Sequence, residues 1–284
     1  MPCGSPAPAP EDVIDERAEG AVECNHMAFL DAAALGSARF VRHLGRGNFG
    51  TVDLVEVTTP DGTVRAARKT LSPKGPNSVK KTKRQMIDTL SRELRGTFSA
   101  CRYSPFATSV LGISLGAAGH CIYTEFADGG SLAGMLELQM PVSELQKLAF
   151  SLLHALSAMN DVGYAHLDIK PDNVLVARSK YLLADFGNAA ELGPNPKVHG
   201  LRGSSIYIAP EQWEGQAYGL NADCFSLGLL LAQCAVWPHS PAALVQLIQG
   251  QRALPGCVPE ELRDFITALM LEDTAARPSP KEAM

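Results

Sequence analysis

The sequence has no CxxC pair. Its seven cysteines (Cys3, Cys24, Cys101, Cys121, Cys224, Cys234 and Cys257) are odd in number and widely spaced. That argues against a disulfide framework or a zinc cage and for reduced thiols inside a cell. It has no surplus of positive charge: 25 Lys and Arg face 30 Asp and Glu, a net charge of −5. A chain-wide nucleic-acid footprint is excluded. The longest apolar stretch, from Leu227 to Trp237, is too short and interrupted to span a bilayer. The start lacks the basic and apolar segments of a secretory signal, so no membrane partner is expected, and a cytoplasmic or nuclear location is. No internal repeat shows at periods of about 20–50 residues. What is present is 284 residues, 46% hydrophobic and 19% charged. That is enough for one bilobal unit or two modest domains with a substantial buried core.

Residues 1–37 differ from the rest. PAPAPEDVIDERAEG is rich in Pro, Ala and acid, and the tail carries a charge of −6, which leaves the remainder at about +1. A mostly disordered tail is expected, with a short helix over 26–35. From Arg39 to Phe126 the pattern predicts strands at Arg39–Arg46, Thr51–Thr58, Thr63–Thr70, Ser109–Leu115 and Cys121–Phe126. A basic helix over Val79–Ser99 interrupts them, with Ile87, Leu90, Leu94 and Phe98 as its apolar stripe. Beyond Ser131 helices dominate. Ser143–Val162 carries Leu145, Leu148, Leu152, Leu156 and Met159 on one face, with Ser143 as its cap. Further helices fit Gly219–Val236, Pro241–Gln249 and Pro259–Leu271. The reading is an α+β chain: a β-rich N-lobe over 38–126, a hinge over 125–130 and an α-helical C-lobe over 131–284.

Gly45-Arg46-Gly47-Asn48-Phe49-Gly50-Thr51-Val52 lies between two strands. A dinucleotide fingerprint needs a helix after the glycines, and a Walker loop needs Gly-Lys-Ser/Thr. Glycines here let backbone amides close over phosphates, although the same pattern serves an ordinary hairpin equally well. On the next strand, alternation puts Ala67 and Lys69 on one face and Arg68 on the other. Ala67 leaves room for a base and Lys69 can reach phosphates; alone, it could equally be a surface lysine. Glu93 shares a helix face with Met86 and Leu90, and a carboxylate on a half-apolar face needs a partner. Lys69 is the obvious one, the alternative being partial solvation. In His166-Leu167-Asp168-Ile169-Lys170-Pro171-Asp172-Asn173, a carboxylate, a lysine and an amide converge in one loop. Asp185-Phe186-Gly187 follows twelve residues after Asn173. Asn173 and Asp185 are hard oxygen donors suited to Mg²⁺ on phosphates; Asp168 suits a proton acceptor and Lys170 a charge neutraliser.

With these motifs in this order, followed by Ala209-Pro210-Glu211, Asp223-Cys224-Phe225-Ser226-Leu227-Gly228 and Arg277, the chain resembles the eukaryotic-type protein kinase family over about residues 38–283. The resemblance implies the bilobal kinase fold and ATP with Mg²⁺. Gly45, Gly47, Gly50 and Val52 would cover the nucleotide, and Lys69 would hold its phosphates and pair with Glu93. Ala67 and Leu175 would sandwich adenine, with Thr124 as gatekeeper and Glu125-Phe126-Ala127 as hinge. Asn173 and Asp185 would hold the metal, and Asp168 would be the base. Asp223 would brace the catalytic loop, and Arg277 would pair with Glu211. Lys170 after Asp168 looks like a Ser/Thr-type loop, so protein Ser and Thr hydroxyls are the implied substrates. The kinase scaffold that binds ATP without turnover and the small-molecule phosphotransferase are the rival readings.

Ser91-Arg92-Glu93-Leu94, Ser104-Pro105-Phe106 and Pro259–Phe265 are similar to the MAP kinase kinase and STE-like group, a dual-specificity alternative. Its docking segment and activation serines are absent. The segment from Asn188 to Gly203 has no Ser, Thr or Tyr, and Leu167 stands where many kinases have a phosphate-binding arginine. An unpaired arginine buried there would be costly, so the expectation is activity without activation-loop phosphorylation. Ser204 is expected to contact Asp168 and Lys170. The basic run Lys74, Lys80, Lys81, Lys83, Arg84 reads as a solvated helix start or as a docking face for an acidic partner or for the acidic tail.

Overall fold

The computed structural model describes residues 30, 32–47, 50–71, 82–116, 119–136, 139–178, 180–192, 200, 202–204, 206–236, 241–250 and 252–284. The acidic tail to residue 29, Asn48 and Phe49 of the glycine loop, Lys74, Lys80 and Lys81 of the basic run, and residues 193–199, 201 and 205 lie outside them.

A short helix α1 (Ala32–Gly36) precedes three strands, β1 (Arg39–Gly47), β2 (Gly50–Thr59) and β3 (Gly62–Leu71). β2 and β3 pair without a slip from Gly50↔Leu71 to Thr59↔Gly62, so the Pro60-Asp61-Gly62 turn sets the register of the whole hairpin. Helix α2 (Lys83–Cys101) follows, then β4 (Val110–Gly116) and β5 (Gly119–Glu125). The five strands form one sheet in the order β1-β2-β3-β5-β4, antiparallel throughout. Alternation gives it two apolar faces. Leu71, Val110 and Ile122 pack against Met86 and Leu90 of α2. Val55, Val57, Ala66, Leu111 and Tyr123 pack against Leu30 and Leu35, at α1.

Helix α2 starts later than expected. Thr82 accepts from the Gln85 N–H at 3.2 Å and the Gln85 side chain accepts from the Thr82 N–H at 2.8 Å, a reciprocal cap that fixes the first turn at Lys83 rather than Val79. Its buried face is Met86, Leu90, Glu93 and Thr97; Ile87, expected on the stripe, is 54% exposed. The 3.6-residue period carries Ile87 a full 100° from Met86, onto the solvent side.

The second half is helical around α3 (Val142–Asp161), whose Leu145, Leu148, Leu152, Leu156 and Met159 are fully buried. Ser143 does not cap it. Pro141 O already accepts from the Glu144 and Leu145 N–H groups, so Ser143 lies inside the first turn. Short strands β6 (Tyr164–Ala165), β7 (Val174–Ala177), β8 (Lys180–Leu183) and β9 (Ala190–Glu191) follow. β6 pairs with β9 and β7 with β8. The remaining helices are α4 (Pro210–Trp213), α5 (Asn221–Ala235), α6 (Pro241–Ile248) and α7 (Glu260–Leu269). α5 is buried on almost every side, as the central element of this core. The β-rich first half and helical second half match the expected bilobal α+β architecture.

Candidate active site

Strand alternation delivers the lysine. Arg68 points to the outer face, where it donates to Asp53 at 3.1 Å, and Lys69 points inward. Directly opposite across the strands are Val52 to Lys69 and Thr124 to Ala67. Lys69 Nζ contacts the buried carboxylate of Glu93 and donates to Asp185 Oδ1 at 2.8 Å. Burial favours the neutral amine, but the two carboxylates outweigh it and hold the ammonium well above the usual lysine range. For Asp185, burial works against the charge, yet Lys69 and the Gly187 N–H keep the carboxyl below its ordinary value.

Asp185 has a left-handed backbone, φ 60°, and so does Leu167, φ 62°. Such conformations cost non-glycine residues energy and persist only where surroundings enforce them. For Leu167 the enforcer is Asp223. Buried on α5, it accepts from the His166 N–H and the Leu167 N–H, each at 2.7 Å. His166 Nδ1 accepts from the Asp168 N–H at 3.2 Å, so its Nε2–H donates to Ala184 O at 3.1 Å. One loop is thereby fastened both to the helical core and to the strand leading to Asp185.

Asp168 is buried and receives donors on both oxygens. Lys170 Nζ donates to Oδ2 at 3.0 Å and Asn173 Nδ2 donates to it at 2.9 Å. The Ser204 hydroxyl donates to Oδ1 at 2.9 Å and itself accepts from Lys170 Nζ at 2.6 Å, the contact expected for it. Gly203, at φ 91°, makes this approach feasible, since a Cβ there would lie 2.3 Å from Leu167 O. Farther out, Arg277 makes a buried bidentate pair with Glu211 at 2.7 and 3.0 Å.

A cleft of about 600 Å³ lies between the two halves. Gly45, Val52, Ala67, Lys69, Glu93, Thr124, Ala127, Asn173, Leu175 and Asp185 all line it. The other expected residues lie elsewhere. Gly47 and Gly50 pair with each other at the β1–β2 end, next to the undescribed loop tip. The Glu125 carboxylate accepts from the Ser109 N–H at 2.7 Å. Asp168 and Lys170 stand beside Asn173 at the foot of the cleft. The cleft walls also include Phe186 of the Asp-Phe-Gly motif, and Thr97 and Thr108, which carry no motif chemistry and were not anticipated. Neither was Asn188, whose Nδ2 donates to Asp168 Oδ2 at 3.2 Å.

The donor set suits a hard cation carried in with phosphates. Asn173 uses its amide N–H groups on Asp168, which leaves its carbonyl oxygen as a ligand beside the Asp185 carboxylate. Among the described residues no group of three or more His, Cys, Asp or Glu forms a cage, so phosphate and water oxygens would complete the shell.

Residues 38–284 match the protein kinase domain family. The chain is 28% identical over 239 residues to mitogen-activated protein kinase kinase 1c of Physcomitrium patens, covering 79% of this chain and 64% of that protein. It is 30% identical over 267 residues to a mitogen-activated protein kinase kinase of Pyricularia oryzae, covering 85% and 61%. To the serine/threonine-protein kinase unc-51 of Caenorhabditis elegans it is 31% identical over 175 residues, covering 54% and 20%. The chain thus spans less than two thirds of the length of each of these relatives.

Proposed function

The chain belongs to the protein kinase family, and we propose that it transfers the γ-phosphoryl group of ATP to Ser and Thr hydroxyls of protein substrates, with no need for phosphorylation of its activation segment. The observation that carries this reading is the simultaneous engagement of Lys69 with Glu93 and Asp185 while Asp168 is held by Lys170, Asn173 and Ser204.

Ala67 and Leu175 give the base an apolar slot, and the backbone of Glu125–Ala127 offers it hydrogen bonds. Lys69 positions the α and β phosphates. Asn173 and Asp185 would hold Mg²⁺, which would neutralise charge on the phosphates. Asp168 accepts the proton as the substrate oxygen bonds to the γ-phosphorus and the bond to the β-bridging oxygen breaks, releasing ADP. Lys170 stabilises charge on the transferred group. The chemistry then rests mainly on positioning and electrostatics.

Independence from phosphorylation rests on two features. Leu167 is 4% exposed and apolar, where a phosphate-reading arginine would otherwise need an anion. Ser204 supplies by hydroxyl the tie between segment and catalytic loop. We take the catalytic unit as residues 38–284, its N-lobe 38–126 and C-lobe 131–284 joined by the hinge 125–130, following an acidic tail. It would act in the cytoplasm or nucleus, with the basic residues between Lys74 and Arg84 offered to an acidic partner.

The test is Mg-ATP transfer to generic protein substrates beside an Asp168→Ala control, with phosphoamino acids identified by mass spectrometry. Phosphoserine or phosphothreonine that vanishes in the control is expected. Phosphotyrosine would shift the reading to a dual-specificity enzyme. ATP binding without transfer would overturn it in favour of a scaffold.

A further inference from the structure

Asp168 Oδ2 receives three N–H donors, from Lys170, Asn173 and Asn188. The first two lie within five residues of Asp168 in the same loop. Asn188 comes from a different segment, the tight turn at Phe186–Asn188 that follows Asp185. Among the described residues it is the one donor to this oxygen from outside the loop.

The Asn188 backbone is fixed. The Ala189 N–H donates to Phe186 O at 3.0 Å and closes the turn. The Asp185 carboxylate accepts from the Gly187 N–H at 3.4 Å at its start, and the same carboxylate holds Lys69. Arg202 reaches Asn188 O at 3.5 Å from the far end of the activation segment. The amide of Asn188 therefore sits at the crossing of three structures: the metal-binding turn, the catalytic loop and the end of the segment.

The geometry points to Asn188 as a positioning residue for the transfer reaction. It holds the Asp168 carboxylate in one rotation through Oδ2, so that Oδ1, which among the described residues accepts from the hydroxyl of Ser204 alone, faces the incoming substrate oxygen. It also makes that rotation depend on the Asp185 turn being seated on Lys69. A turn displaced from Lys69 carries the amide away from Asp168, so nucleotide phosphates and base are organised together. In this scheme Asn188 acts through Asp168.

The inference rests on the proposed kinase activity. The parent protein and its Asn188→Ala, Asn188→Leu and Asn188→Gln variants would be compared in kcat, in KM for ATP and in melting temperature. Loss of the donor should lower kcat about tenfold in the Ala and Leu variants, with KM for ATP and melting unchanged. Asn188→Gln keeps an amide donor and should recover most of kcat. The inference is overturned if Ala and Leu stay within about twofold of the parent, or if Gln is as slow as Leu, since the donor would then be irrelevant. Failure of the activity itself looks different: the parent would transfer nothing above the Asp168→Ala control.

Discussion

Ser204 and Asp168 are joined by a 2.9 Å hydrogen bond from hydroxyl to carboxylate. The bond fastens the end of the activation segment to the catalytic loop with a neutral donor, and Lys170 completes the triangle at 2.6 Å from the hydroxyl. Ser204→Ala should lower kcat about tenfold, in keeping with a lost hydrogen bond to a charged group. A phosphate on Ser204 would press two negative charges together, so Ser204→Asp should be slower than Ser204→Ala. Steady-state rates of the two variants check the order; an Asp variant faster than the parent would contradict it.

Lys69 sits against two carboxylates, and its removal leaves them facing each other. Lys69→Met should reduce transfer at least about a hundredfold through lost electrostatic stabilisation. The sign of the pH effect is set by the raised value of the ammonium. Folding holds the proton more tightly than the unfolded chain does. The stabilisation is therefore complete below an ordinary lysine value near 10.5 and falls as pH rises above it. Urea unfolding followed from about pH 7 to about pH 11 should show a steeper alkaline loss in the parent than in Lys69→Met.

Arg277 and Glu211 are both almost wholly buried, and the guanidinium also donates to Leu271 O at 2.8 Å and Asn221 O at 3.0 Å. Breaking a buried pair leaves one charge uncompensated. Arg277→Ala should cost about 3–5 kcal/mol of stability, read from urea denaturation. A loss below about 1 kcal/mol would place the pair among solvated ones.

Leu35 of α1 covers the outer face of the five-stranded sheet, and Leu30 N–H donates to Leu111 O at 2.7 Å beside it. The sheet admits Leu35 because Gly112 has no side chain: a Cβ there would lie 2.7 Å from Leu35 Cδ1. Leu35→Ala should destabilise by about 2–3 kcal/mol. Gly112→Ala should cost about 1 kcal/mol, since the far end of a flexible leucine can move. Equal melting temperatures for Leu35→Ala and parent would show that α1 adds nothing to the fold.

Period and turn signals carried the two-lobe layout, and most of the candidate site residues came from the resemblance of the motifs to the protein kinase family. Alternation alone put Lys69 and Arg68 on opposite faces, as found, and the spacing of Asp168, Lys170 and Asn173 put all three in one hydrogen-bonded loop. Boundaries were harder. The cap at Thr82 and the carbonyl of Pro141 decide where α2 and α3 begin, and both are local hydrogen bonds that apolar periodicity does not report. Ile87 fits a 3–4 residue stripe but falls on its solvent edge. Asn188 was invisible for another reason. Its contact with Asp168 joins residues 20 apart through a turn whose geometry depends on the left-handed backbone at Asp185. A single asparagine after Asp-Phe-Gly announces nothing by itself.

The most direct test of the account is the specific activity of protein expressed in bacteria, before and after complete dephosphorylation, with residues 188–205 shown by mass spectrometry to carry no phosphate. The account predicts equal activity in the two preparations, abolished in each by Asp168→Ala. Activity that disappears on dephosphorylation, with the lost phosphate mapping to Ser204 or Ser205, would contradict it.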